Sequence, residues 1–354
     1  MRERLERLRR RLEGEGLDAL LVSQAQNRRY LSGFTGSAGM LLISGEGAVL
    51  ATDSRYVEQA REQARDFEVV RIEGEPGGWL PGLVASTGGG RIGLEAADLS
   101  HAVYRRMVAV EVGEKTEFVP TEGLVESLRA VKDEAEREHI ARAVALADAA
   151  FEQVAPTIRP GMSELEVAWA LERCMRELGS EPVPFDIIVA SGPNAALPHH
   201  RPSGHTVQAG EPVVIDMGAV CRGYCSDLSR TICPGGGDKR FDAVYDLVLG
   251  AQLTAIATIA EGMTGEQADA LARQVIEQGG HGERFGHGLG HGIGLAPHEQ
   301  PRLGRASRDV LARGMVFTVE PGVYIPGWGG VRIEDVVVLD EGGARALSAA
   351  SKVP

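Results

Sequence analysis

The chain has 354 residues, 43% hydrophobic and 25% charged, the balance of a soluble globular protein with room for two domains of ordinary size. Its net charge of −13 argues against a nucleic-acid or anionic-membrane partner, and no apolar run is long enough to cross a bilayer. Four cysteines in so long a chain make no disulfide framework, so the expected compartment is reducing and cytoplasmic.

The opening stretch, MRERLERLRRRLEGEG, is charged and amphipathic, with Leu5, Leu8 and Leu12 on one face. Without an apolar core or a cleavage site, it does not read as a secretory signal. Apolar runs then predict strands at 19–23, 40–44, 48–52, 68–72 and 91–96, and helices at 2–15, 55–65 and 99–109. SGEG, at 44–47, reads as a hairpin turn between two of those strands. The expectation for 1–130 is a small α/β domain with a mixed sheet, carrying one histidine, His101. A charged stretch, RAVKDEAEREH, follows at 129–139 and opens a helix in which Ile140, Val144, Ala147, Phe151 and Val154 keep helical spacing. The second domain is taken as 131–354.

That second domain contains an echo. Residues 160–179 read PGMSELEVAWALERCMRELG and residues 261–280 read EGMTGEQADALARQVIEQGG. Each carries Gly-Met and a capping box, Ser163 with Glu166 and Thr264 with Gln267, and each precedes a β-rich segment.

After the first copy, EPVVIDMGAVCRGYCSDLSRTI places two apolar strands around a polar turn. A turn centred between 221 and 222 predicts Asp216 opposite Asp227 in an antiparallel hairpin. After the second copy, MVFTVEPGVYIPGWGGVRIEDVVVL turns near Gly327, which sets Glu320 opposite Glu334. Two carboxylates about 5 Å apart repel by about 3 kcal/mol at an effective dielectric near 20. Flanking runs such as Val213–Ile215 and Val336–Val338 mark these strands as buried, which adds desolvation cost. Shared protons, arginines (Arg222, Arg230 and Arg332 are near in sequence) or divalent cations would resolve the conflict. Two acid pairs brought together need more positive charge than one or two arginines supply, so bound metal is the economical answer.

Between the acid hairpins lies RFGHGLGHGIGLAPHEQP (284–301), in which His287, His291 and His298 sit among five glycines. Glycine loses the most entropy on folding, and metal–ligand free energy can offset that loss. A histidine among carboxylates favours hard or borderline ions such as Mn²⁺, Co²⁺ or Fe²⁺ over a thiolate zinc site. Cys221, Cys225 and Cys233 lack paired C-x2-C spacing and read as structural or incidental.

The motifs VIDMGA with Asp216, YCSDLSRT with Asp227, GHGLGHGIG with His291, TVEPGVYI with Glu320 and GVRIEDVVV with Glu334 resemble, in order, the five ligand motifs of the pita-bread metallopeptidases. That group includes methionine aminopeptidase, aminopeptidase P and prolidase. The resemblance spans about 135–340 and implies a pseudo-twofold catalytic domain with a dinuclear centre. Asp227 and Glu334 would bridge two divalent ions, Asp216 would chelate one, and His291 with Glu320 would complete the other. Mn²⁺ is the first expectation, with Co²⁺, Fe²⁺ and Zn²⁺ as alternatives. RYLSGFTGSAG (29–39) and TDSRYVEQA (52–60) resemble the creatinase-like N-terminal domain of small bacterial aminopeptidases P, which implies a role in substrate access and dimer contacts. The expected fold class is thus α/β (α+β), and the chain is expected to be a homodimer.

By the same resemblance, the expected activity removes the residue before a second-position proline, through attack of a metal-bridging hydroxide. Glu320 would accept the proton, His298 would stabilise the oxyanion, and His199 would hydrogen-bond the substrate. His287 would line the pocket, Arg332 would orient Glu334 or its neighbours, and Tyr324 would lie near the metals. The alternative is an Xaa-Pro dipeptidase, which needs a cation for the substrate carboxylate. The loop PGWGG (326–330) carries no basic residue and leans toward the aminopeptidase, whereas Arg302 and Arg201 weaken that lean. A non-catalytic binding protein and a metal-free creatinase-like amidinohydrolase on the same fold are disfavoured by the complete ligand set. HRPSGH, after His199, departs from the small, neutral segment common in the family and leaves the preference beyond proline open.

Overall fold

The computed structural model describes residues 1–85, 87–113 and 116–354. It divides into two compact units, Met1–Arg129 and Ala130–Pro354.

The first unit runs α1 (Arg2–Gly14), β1 (Ala19–Val22), α2 (Ala25–Ser32), β2 (Met40–Ser44), β3 (Ala48–Thr52), α3 (Val57–Gln63), β4 (Glu68–Arg71), α4 (Pro76–Ala85), β5 (Gly90–Glu95), α5 (His101–Val108) and β6 (Thr116–Thr121). Its six strands form one mixed sheet in the order β4-β3-β2-β1-β5-β6. The SGEG turn joins β2 to β3 as an antiparallel hairpin, while β1 lies parallel to β5. Leu5, Leu8 and Leu12 are the buried face of α1. Sequence periodicity missed α2, α4 and β6. Both α4 and β6 contain a proline, and β6 is an edge strand, where a missing N–H costs least.

After α6 (Glu126–Ala130), the second unit opens with α7 (Glu134–Val154), whose N-terminus is closed by a capping box between Asp133 and Glu136. Two similar halves follow. The first pairs α7 with α8 (Glu164–Glu177) behind a sheet of β7 (Ile188–Ser191), β8 (Val213–Met217) and, beyond the short β9 (Val220–Cys221) and β10 (Tyr224–Cys225), β11 (Leu228–Ile232). The second pairs α9 (Lys239–Thr258) with α10 (Gly265–Gln278) behind β12 (Gly290–Gly292), β13 (Glu299–Leu303), β14 (Val316–Val319), β17 (Asp335–Asp340) and β18 (Gly343–Ala346). Between β14 and β17 lies a separate ladder of β15 (Gly322–Ile325) and β16 (Gly329–Arg332).

Each half has its own apolar core. Phe151, Val167, Leu171, Val189 and Ile215 represent the first; Phe241, Val248, Ile276, Phe317 and Val337 represent the second. The repeated sequence holds matching roles. Ser163 and Thr264 each cap their helix, and each also bridges to a later segment, at Thr206 and Val310. The echo is therefore a structural repeat, two helix pairs backing two sheets around a common centre.

Candidate metal centre

The first acid hairpin differs from its expected register. The turn is centred on Arg222 and Gly223, both at positive φ (51° and 73°), the conformation of a two-residue hairpin turn matched to strand twist. The ladder consequently pairs Asp216 with Ser229 and Met217 with Leu228, and the same register sets Asp227 opposite Gly218 in a break between strands. The slip is two residues, so Asp227 keeps the face it would have had. Asp216 and Asp227 become diagonal neighbours, and their carboxyls still come within hydrogen-bonding reach.

In the second hairpin, Val319 pairs with Asp335 and Gly322 with Arg332, which sets Glu320 opposite Glu334. The ladder opens at that point. The Glu320 amide donates instead to Leu289 O (2.8 Å) and the Glu334 amide to Ser229 O (3.0 Å). These two bonds tie the acids of the second half to the glycine-rich segment and to β11 of the first half.

His291 enters on β12, flanked by glycines that the packing requires. A Cβ on Gly290 would lie 2.0 Å from Thr318 O, and one on Gly292 would lie 2.0 Å from Gln300 O. The strands on both sides approach the backbone so closely that only glycine fits. The ring Nδ1 lies 3.1 Å from Gly292 O, and a carbonyl can only accept, so Nδ1 carries the proton. Nε2 is left facing acids, 3.2 Å from Glu320 Oε1 and 3.8 Å from Asp227 Oδ2.

Asp227, His291 and Glu334 offer ligand atoms that all lie within 4.8 Å of one another. Asp216 Oδ1, Asp227 Oδ1 and Glu334 Oε1 are buried without a hydrogen-bond partner. A buried carboxylate oxygen without a partner is costly, and three around one imidazole lone pair are the donor set of a divalent cation. The residues therefore fit the expected metals. Burial, then the charges of Glu334, Asp216 and Glu320, push the Asp227 pKa well up. Burial, then Glu320 and Asp216, do the same to Glu334. Glu320 goes the other way. Burial opposes its charge, but the His291 hydrogen bond and the nearby positive groups outweigh it and hold the carboxyl at about 2.

Of the three arginines near the acids in sequence, Arg332 bonds a cluster carboxylate. It donates to Asp216 Oδ2 (2.7 Å), Ser229 Oγ (2.8 Å), Tyr324 Oη (2.9 Å) and Pro198 O (3.2 Å). It therefore reaches Glu334 indirectly, through Ser229, whose hydroxyl donates to Glu334 Oε2 at 2.8 Å. Arg230 instead pairs with Asp335 (2.8 Å), and Arg222 sits in the hairpin turn.

His287 and Tyr324 extend the Arg332 contacts. The Tyr324 hydroxyl lies 2.9 Å from His287 Nε2, and His287 Nδ1 lies 2.8 Å from Gly288 O, so the donor order runs Arg332, Tyr324, His287, Gly288. The exposed His298 ring packs on His291 with centroids 4.1 Å apart. Burial, then the His291 charge, lower the His298 pKa and keep its ring neutral at pH 7. His199 is exposed on the loop after β7, close enough to His287 and His298 to perturb both. Arg302, exposed on β13, is paired with His291 in the ladder, so both side chains leave the same face of the sheet. Cys221, Cys225 and Cys233 form no disulfide among the described residues and lie outside this cluster.

Sequence reasoning missed Ser229 and Thr318. The Thr318 hydroxyl donates to Glu320 Oε1 (3.1 Å) and accepts from the His291 amide (3.1 Å). Correct hairpin registry would have found Ser229, which stands opposite Asp216.

Paired acid hairpins, one histidine and a repeated α/β architecture define a pita-bread metallopeptidase. Residues 138–341 match metallopeptidase family M24, and residues 4–131 match the creatinase/prolidase N-terminal domain. The chain belongs to family M24. Among solved structures it resembles a Xaa-Pro dipeptidase from Bacillus anthracis, at 44% identity and a TM-score of 0.95, covering 99% of this chain and 98% of that one. An X-Pro aminopeptidase from Thermotoga maritima follows at 39% identity and a TM-score of 0.89, with 98% of each chain covered. A Xaa-Pro dipeptidase from Pyrococcus furiosus is 36% identical over 98% of both sequences.

Proposed function

We propose that this metallopeptidase is an Xaa-Pro dipeptidase, releasing the residue that precedes proline in a dipeptide. The sequence alone leaned toward the aminopeptidase; the dipeptidase relatives in Bacillus anthracis and Pyrococcus furiosus support the alternative better. The observation that carries the reading is Arg302. Its side chain leaves the same sheet face as His291, and a guanidinium there supplies the cation that the 326–330 loop lacks. Arg201 is less suited, because it already has a carboxylate nearby, 3.8 Å away on Asp186.

In this reading Asp216, Asp227, His291, Glu320 and Glu334 would hold the divalent ions, with Asp227 and Glu334 at the centre of the cluster. Bound there, Mn²⁺ or a similar ion supplies a nucleophile at neutral pH and polarises the scissile carbonyl. Proline has no N–H and its amide is tertiary, so the substrate is held by other groups. His199 hydrogen-bonds it near the scissile bond, and the neutral His298 ring donates to the developing oxyanion. Thr318 donates to Glu320 Oε1, leaving Oε2 to accept the proton. Arg332, Tyr324 and His287 keep Asp216 and the pocket wall in place. Cytoplasmic location, a homodimer and the N-terminal unit's part in substrate access belong to the same proposal.

The Thermotoga maritima neighbour and the loop without a cation favour the second reading, an Xaa-Pro aminopeptidase. Turnover of Xaa-Pro against Xaa-Pro-Xaa peptides with Mn²⁺ decides between them. Arg302→Ala should raise KM for dipeptides by about 10- to 100-fold, the loss of one charge-assisted hydrogen bond, and leave kcat nearly unchanged. Cleavage of tripeptides alone would overturn the dipeptidase.

A further inference from the structure

Glu164 stands at the first position of α8, with its side chain fully buried. One oxygen accepts from the Ser191 amide (2.8 Å), the Ser191 hydroxyl (3.0 Å) and the Asn194 side chain (3.0 Å). The other accepts from the Ser203 amide (3.0 Å) and hydroxyl (2.7 Å) and lies 2.8 Å from His200 Nε2. Six contacts exceed what a helix terminus needs, and the α8 cap is already provided by Ser163. Their partners bracket one segment, from the end of β7 to Ser203.

His199 lies inside that bracket and is gripped on both sides. The carbonyl of Pro198, just before it, accepts from Arg332, which also bonds Asp216. The ring of His200, just after it, meets Glu164. The second half of the unit has no equivalent side chain. Gly265 stands in the place of Glu164, and a Cβ there would lie 1.9 Å from Arg302 O, so that half packs backbone where the first half inserts a carboxylate.

We propose that Glu164 is a positioning residue: with Arg332 it fixes the loop that presents His199 to the substrate, without touching metal or substrate itself. The proposal deepens the exopeptidase reading and rests on it. Glu164→Gln keeps the shape but sets an amide donor against the donors of the bracket. Misplacing His199 by that route should lower kcat/KM for Xaa-Pro cleavage by about 10- to 100-fold. Bound Mn²⁺ should stay at the wild-type level, because the five ligand candidates lie on other segments.

Two readouts separate positioning from general damage. In a His199→Ala background, Glu164→Gln should have no further effect on kcat/KM, the signature of two residues acting through one contact. Hydrogen exchange at 192–204 should accelerate by about tenfold in Glu164→Gln, with the metal-bearing strands unchanged. An equal loss in both backgrounds, loss of metal in parallel, or unchanged exchange would each overturn the proposal. Should Glu164→Gln not fold, His200→Ala and Ser203→Ala each remove part of the bracket and carry the same cycle. The exchange measurement needs no turnover. A wild type that cleaves no proline peptide would defeat the activity reading, and the loop result would still decide what Glu164 holds.

Discussion

In the first half of the catalytic unit, the hairpin turns through Arg222 and Gly223 and sets Asp216 against Ser229; in the second, it sets Glu320 against Glu334. Four acids still converge, because convergence depends on sharing a face of the ribbon and a slip of two residues preserves the face. The slip also frees a position. Ser229 occupies the place opposite Asp216, and its hydroxyl serves Glu334 in the other half. In return Arg332, from the second half, braces Asp216 in the first. The ligand candidates are arranged with near symmetry, and each half takes part of its support from its counterpart.

Removing an acid should break the comparison most severely. Asp227→Asn and Glu334→Gln each replace a carboxylate of the candidate metal site by a neutral amide. Activity should fall by roughly three orders of magnitude, several kcal/mol of transition-state stabilisation, together with Mn²⁺ content. The metal-free proteins should show the opposite ranking. A carboxyl with a higher pKa folded than unfolded stabilises the fold below its unfolded value, near 4, and loses that contribution as pH rises through the folded value. Asp227 and Glu334 are both raised, by burial and by neighbouring acids. Without metal, Asp227→Asn should therefore melt above wild type, by a margin that widens from about pH 4 toward neutrality. Mn²⁺ should reverse the order. A metal-free wild type that outmelts Asp227→Asn at pH 8 would remove the electrostatic conflict from the account.

The cross-bracing is tested next by Arg332→Lys. Lysine keeps the charge but cannot span Asp216, Ser229, Tyr324 and Pro198 with one planar fork. Mn²⁺ affinity, measured by calorimetry, should drop by about 10- to 100-fold. Wild-type affinity would mean that Asp216 holds its position without help.

Much of this was legible in the sequence, for identifiable reasons. Five strands of the N-terminal sheet and the helix-capping repeat announce themselves through local periodicity and capping chemistry. The four acids fall on one face of each ribbon because hairpin spacing is arithmetic. The arithmetic failed where turn chemistry decides. Arg222 at positive φ moved the turn centre by one residue and the pairing by two. Glu164 was invisible for another reason. In SELEV it reads as an ordinary first-turn acid, and its partners Ser191, Asn194, His200 and Ser203 lie 27 to 39 residues away. Arg302 could be named but not placed, because its shared face with His291 depends on a ladder that shifts between His291 and Gly292.

The smallest expected effects compare two hydroxyls. Ser229 links the halves, donating to Glu334 and accepting from Arg332. Thr318 acts within its own half, donating to Glu320 and accepting from the His291 amide. Ser229→Ala leaves a buried guanidinium N–H and a buried carboxylate oxygen short of a partner, a cost of about 1–3 kcal/mol. Thr318→Val strands an amide and one contact of a carboxylate that His291 also engages, so its cost should lie at the lower end, about 1 kcal/mol. Denaturant unfolding measures both, and the cycle with Arg332→Lys separates them. Ser229→Ala shares Arg332 and should couple to it by about 0.5–3 kcal/mol, whereas Thr318→Val should add within about 0.5 kcal/mol. Equal coupling of both hydroxyls to Arg332 would mean that support spreads through the whole centre, and the exchange of braces between halves would lose its meaning.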